Sequence, residues 1–110
     1  MAKNYIEIND DNFQTRVLMK SMHTPIVVDF WASWCAPCRI ISPVLEKLAQ
    51  EFKGKFVLAK LNVEENRKKS QEYKIMSIPN VKMFKNGKIV DEFVGAIPES
   101  QIKSWLEKNI

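Results

Sequence analysis

The chain has 110 residues, 45% hydrophobic and 27% charged, the balance of an ordinary globular domain. That length holds one buried core and is too short for two, so a single domain over residues 1–110 is expected. No apolar run approaches the roughly 20 residues of a membrane-spanning helix, and 3 glycines and 5 prolines are too few for a fibrous or flexible polymer. The expectation is a monomer with no membrane partner.

The formal charge is +4, and the densest basic cluster, Arg67-Lys68-Lys69, invites a nucleic-acid reading. Glu64, Glu65 and Glu72 lie among these cations, so a solvated helix face is the better reading and no nucleic acid is expected. From Met1 through Lys3 into residues 5–8 there is no basic-then-apolar leader, which points to the cytoplasm.

Residues 5–8 alternate like a half-buried strand, and Asn9-Asp10-Asp11 supplies short acceptor side chains suited to capping a helix. Phe13, Val17 and Leu18 predict an amphipathic helix over 11–20, broken by Thr24-Pro25. Residues 26–31, Ile-Val-Val-Asp-Phe-Trp, read as a central strand buried on both faces. Beyond Pro37, Ile41, Val44, Leu45, Leu48, Ala49 and Phe52 recur at helical spacing, with Pro43 expected to bend the helix and Gly54 to end it.

A second apolar strand is expected over 56–61 and a short surface helix within 64–73. Residues 81–84 and 89–94 flank Asn86-Gly87, the strongest short hairpin signal. Pro98 and Glu99 then suit the first turn of a helix whose buried stripe is Ile102, Trp105 and Leu106. Strands separated by helices should pair in parallel and the hairpin antiparallel, giving an α/β fold: a mixed sheet with helices on both faces.

The two cysteines, Cys35 and Cys38, are the only ones, and they stand where the apolar strand gives way to a helix. Cysteines three apart in a first helical turn have Cα atoms about 5 to 5.5 Å apart, within disulfide range. So short a loop restrains the unfolded chain by only roughly 2 kcal/mol, which makes a stabilising purpose poor. Reactivity fits better, because unpaired N–H groups and the positive end of the helix dipole favour a thiolate at Cys35. A reachable Cys35 thiolate would attack a target disulfide, and Cys38 would resolve the mixed disulfide. Half of a zinc site is the competing reading, but zinc wants four ligands and the one histidine, His23, stands apart, so no metal is expected.

Asp29 is the only polar residue in its strand, either at an edge or buried at a cost; burial would raise its pKa and suit it to proton transfer near neutral pH. Lys60 is the parallel case in 56–61 and the candidate ion to temper Asp29. A charge at a strand end remains the plain alternative for both.

Asp29-Phe30-Trp31-Ala32, Trp34-Cys35-Ala36-Pro37-Cys38-Arg39, Pro43, Ala59-Lys60-Leu61, Ile78-Pro79, Asn86-Gly87 and Val94-Gly95 together resemble the thioredoxin family, in order and spacing over nearly the whole chain. The resemblance implies a thioredoxin-like fold and a protein-disulfide reductase with no bound cofactor, taking electrons from NADPH through a thioredoxin reductase and passing them to disulfide-containing client proteins. It implies a nucleophile at Cys35, a buried resolving thiol at Cys38, and an Asp29 and Lys60 pair managing the Cys38 proton. It also implies a cis Pro79, with the Ile78 backbone beside the sulfurs, and a substrate-binding surface of Trp34, Ala36, Pro37, Ile78, Pro79, Gly95 and Ala96.

Two residues depart from the family's usual pattern: Ala36 stands where glycine is common and Asn80 where threonine is common. Ala36, the better helix former, should stiffen the first turn. Pro37 argues against the oxidase and isomerase relatives. These and a non-catalytic binding module of the same fold are the alternatives.

Overall fold

The described residues build five strands in the order β1-β3-β2-β4-β5, flanked by helices on both faces. The computed structural model describes residues 4–110; residues 1–3, read above as the start of a chain without a leader, lie outside the described residues. The strands are β1 Ile6–Glu7, β2 Ile26–Trp31, β3 Val57–Asn62, β4 Asn80–Lys85 and β5 Lys88–Val94. The helices are α1 Ala36–Glu51, α2 Arg67–Glu72 and α3 Glu99–Asn109.

The apolar strand expected at 26–31 is β2, which pairs in parallel with β3 and antiparallel with β4. Its alternate side chains feed two cores. Val27 joins Ile41, Leu45 and Leu48 of α1 and Ile102, Trp105 and Leu106 of α3 on one face. Ile26, Val28 and Phe30 meet Phe13, Val17 and Phe84 on the other. A strand buried on both faces has no room for alternation, which explains its continuous apolar run.

The hairpin forms at Asn86-Gly87, with φ of 53° and 78° as a two-residue turn of this kind requires. Ser21 reinforces it: its carbonyl accepts from the Asn86 N–H at 2.8 Å and its hydroxyl from the Gly87 N–H at 2.8 Å. The first turn of α1 carries proline at Pro37, where an N–H would be unpaired anyway, and the helix continues through Pro43. It gives way at Lys53 and Gly54, both with positive φ.

Two expectations need correction. The predicted regular helix over 11–20 is a π-helical segment, Gln14–Met19, followed by a 3₁₀ turn, Lys20–Met22. Of its buried residues, Val17 lies in the π-helical segment, Phe13 at its N-cap and Ser21 in the 3₁₀ turn. The Asn9 side chain still caps its approach, accepting from the Asp11 and Asn12 N–H groups.

The expectation that helix-separated strands pair in parallel fails at β4. The chain leaves β3 at Asn62 and enters β4 at Asn80, and both register with the Trp31 end of β2. A connection that starts and finishes at one end of the sheet delivers an antiparallel strand; only a connection that spans the strand length delivers a parallel one.

Phe84 is buried and meets Phe13 and Tyr73 edge-on, with ring centroids 5.7 Å apart in each pair. Phe84→Ala is expected to lose about 3 to 5 kcal/mol in urea unfolding. A loss below about 1 kcal/mol would show that this side of the core is not tightly packed.

Candidate active site

Cys35 is the N-cap of α1, in extended conformation at φ −86° and ψ 107°, and Cys38 lies inside the first turn. The two are joined by a disulfide with Cα atoms 5.3 Å apart. The Cys38 N–H donates to the Cys35 sulfur at 3.2 Å, so one of the orphan donors of the helix start is spent on that atom. The loop is tied down on both sides: the Cys35 N–H donates to the Ala32 carbonyl and the Arg39 guanidinium to the Ser33 carbonyl.

Accessibility differs from expectation. Cys35, expected to be reachable, is only 3% exposed, against 2% for Cys38. Both sulfur-bearing residues pack with Ala32, Trp31, Val63 and Ile78, and this cover follows from seating the disulfide against the sheet. What separates the two cysteines is thus position on the helix, cap against interior, rather than exposure. Around them Trp34 is 64% exposed, and Ala36, Pro37 and Ala96 are exposed. Ile78 and Gly95 are half-buried.

The Ile78-Pro79 peptide is cis. Pro79 itself is buried and its carbonyl accepts from the Gly95 N–H at 2.9 Å, joining two of the sequence-predicted segments directly. Exposed apolar residues that sequence reasoning passed over are close by in the chain: Ile40 beyond Cys38, Met76 before Ile78, and Val94 before Gly95. Asn80, the departure after Pro79, is buried and its Oδ1 has no hydrogen-bond partner among the described residues.

Asp29 is 1% exposed, and its Oδ1 has no hydrogen-bond partner among the described residues. It lines a cavity of about 210 Å³ together with Cys38, Trp31, Ser42 and Lys60. Burial pushes its carboxyl from the ordinary carboxylate range up to about 7, while the charge of Lys60 pulls it the other way. The strand-end alternative is therefore excluded for Asp29: it sits mid-strand, in register with Lys60 across the β2/β3 pair.

Lys60 makes its ion pair elsewhere. Its Nζ lies 3.2 Å from Glu46 Oε2, donates to the Ser42 hydroxyl, and stands 4.3 Å from the centre of the Tyr5 ring. Ser42, Glu46 and Tyr5 were not singled out from the sequence. Ser42 and Glu46 fall four apart on α1, a spacing that places them on one face, but nothing local says that the face meets Lys60. No cluster of three or more His, Cys, Asp or Glu that could hold a metal ion occurs among the described residues, and no helix there is long and apolar enough to cross a membrane.

The geometry is that of a dithiol-disulfide pair with a titratable carboxyl beneath it. Comparison with known proteins points the same way. The family model described as Thioredoxin matches residues 4–108. Relatives include "Thioredoxin" of Chlorobaculum thiosulfatiphilum, 45% identical over 99% of both chains, and "Thioredoxin 2" of Chlorobaculum tepidum, 44% identical over 100% of this chain and 99% of the relative. "Thioredoxin M-type, chloroplastic" of Chlamydomonas reinhardtii is 46% identical over 92% of this chain and 71% of its own length.

The raised pKa of Asp29 has a stability consequence whose sign is fixed. The folded state holds the proton more tightly than the unfolded chain, so stability is greatest below about pH 4 on this group's account and falls as pH rises towards about 7. The loss is on the order of 4 kcal/mol. Asp29→Asn should therefore gain stability relative to the parent on going from pH 4 to pH 8, read by urea unfolding of the oxidised protein. An equal difference at the two pH values would mean that Asp29 titrates normally.

Proposed function

Since the chain belongs to the thioredoxin family and is a thiol-disulfide oxidoreductase, we propose that Cys35 attacks the target disulfide, Cys38 releases the product, and Asp29 handles the proton between them. The observation that carries this reading is the Cys38 N–H aimed at the Cys35 sulfur from the start of α1. A donor fixed on sulfur stabilises the charged form, and the helix dipole adds to it, so the reduced Cys35 favours the thiolate.

The electrons balance in two exchanges. The Cys35 thiolate attacks one sulfur of the target disulfide, forming a mixed disulfide and expelling the other target sulfur as a thiolate. Cys38 then gives its proton to the Asp29 carboxylate and attacks the Cys35 sulfur. The second target sulfur leaves, the target gains two electrons, and the protein is left with its own disulfide. A carboxyl with a pKa near 7 suits this exchange, since it both accepts and returns a proton at neutral pH.

The substrates are disulfide-containing proteins. Their docking surface is proposed as Trp34, Ala36, Pro37, Ile78, Pro79, Gly95 and Ala96, with an extended target segment adding to the Ile78 backbone like a strand. Because the cysteines are covered, docking must shift neighbouring side chains before the sulfurs meet. The same reading makes the protein a single-domain, monomeric, cytoplasmic electron donor, re-reduced by an NADPH-dependent thioredoxin reductase without a bound cofactor of its own. The matched relatives favour a reductase over an oxidase, an isomerase or a binding module.

Cys38→Ser is expected to accumulate mixed disulfides with client proteins, seen on non-reducing gels, whereas Cys35→Ser accumulates none, because only the first keeps the attacking sulfur. Equal trapping by both variants contradicts the assignment. Loss of insulin-disulfide reduction in both variants, in a coupled assay with thioredoxin reductase, is the companion result.

A further inference from the structure

Lys60 has three acidic residues in reach: Asp29 on β2, Glu7 in register with it on β1, and Glu46 on α1. Asp29 lies beside it on the neighbouring strand, in direct register, and adjacent strands are only about 4.8 Å apart. Glu46 lies across from it on α1. A lysine stem is long and flexible enough to serve any of the three. In the structure the ammonium is turned to α1, where it contacts Glu46 Oε2 at 3.2 Å and the Ser42 hydroxyl, while that hydroxyl in turn donates to Glu46 Oε2 at 3.3 Å. The three side chains thus close a small network, and the buried Asp29 Oδ1 is left without a hydrogen-bond donor among the described residues.

We infer that Glu46 and Ser42 are positioning residues for the Asp29 proton transfer: they hold the Lys60 ammonium on the α1 side of the cavity and so keep it from pairing with the Asp29 carboxylate. The inference rests on the proposed proton role of Asp29, and it names what keeps that carboxylate a useful base. An ammonium released onto Asp29 would stabilise its charged form and weaken it as a proton acceptor for Cys38. Other charged and titratable groups face the same cavity: Tyr5 just before β1, Glu7 from β1 in register with Lys60, and Arg39 from α1. Tyr5 supports the ammonium from the face of its ring and offers it no anion.

The test is a titration of the Asp29 carboxyl carbon by NMR in the reduced protein, with the pH profile of disulfide reduction measured alongside. Glu46→Gln, which keeps the shape and removes the charge, should move the Asp29 midpoint down by about one pH unit. Ser42→Ala should move it the same way by less, and serves if the first variant folds poorly. In a Lys60→Met background the Glu46→Gln shift should vanish, because Glu46 acts through Lys60. No shift in either variant, or a shift of equal size without Lys60, overturns the inference. If the midpoint moves as expected while the inflection in the reduction profile stays put, the positioning stands and the proton role of Asp29 fails. The two readings are therefore separable.

Discussion

One backbone N–H, that of Cys38, decides what the cysteine pair can do. It reaches the Cys35 sulfur at 3.2 Å because Cys35 is the extended residue that caps α1 and Cys38 is the third residue of the helix proper. Everything else in the fold serves to hold that junction still. β2 runs buried through the centre of the sheet and delivers the chain at Trp31. α1 is locked across the sheet by Ile41, Leu45 and Leu48. The cap is thus a fixed point between a buried strand and the helix packed on it, and a sulfur held there meets a preset donor.

The same burial imposes a cost at Asp29. A carboxyl in the middle of a strand that is buried on both faces loses hydration that no donor to Oδ1 among the described residues replaces. The pKa near 7 is the measure of that cost, and it runs opposite to what stability alone would select at neutral pH. A destabilising group placed in a cavity next to Cys38 is a common mark of a site built for chemistry, and a carboxyl raised to about 7 suits the base role proposed for it. The Lys60, Ser42 and Glu46 network borders the same cavity through Lys60 and Ser42, with the ammonium turned to α1.

Much of this was legible in the residues because it is local. The cysteine spacing, the capping position, the apolar run of β2 and the Asn86-Gly87 turn each depend on neighbours a few positions apart. The rest depends on partners distant in sequence. Lys60 meets Glu46 across 14 positions and Ser42 across 18, contacts that exist only after α1 packs on the sheet. Ser21 supports the hairpin turn from 66 positions away. The direction of β4 is not legible in the sequence, because pairing follows where a connection ends, which the intervening residues do not state. Cover over Cys35 was likewise invisible, since it is built by Trp31, Val63 and Ile78 from three separate segments.

The central claim is that the first sulfur of α1 is the ionised one. The rate of iodoacetamide alkylation of the reduced protein, followed residue by residue by mass spectrometry across pH, tests it most directly. The account predicts that Cys35 reacts first, with a midpoint clearly below the value of about 8.5 for a free thiol, while Cys38 stays protected. A midpoint at the ordinary value, or modification of Cys38 ahead of Cys35, would contradict it.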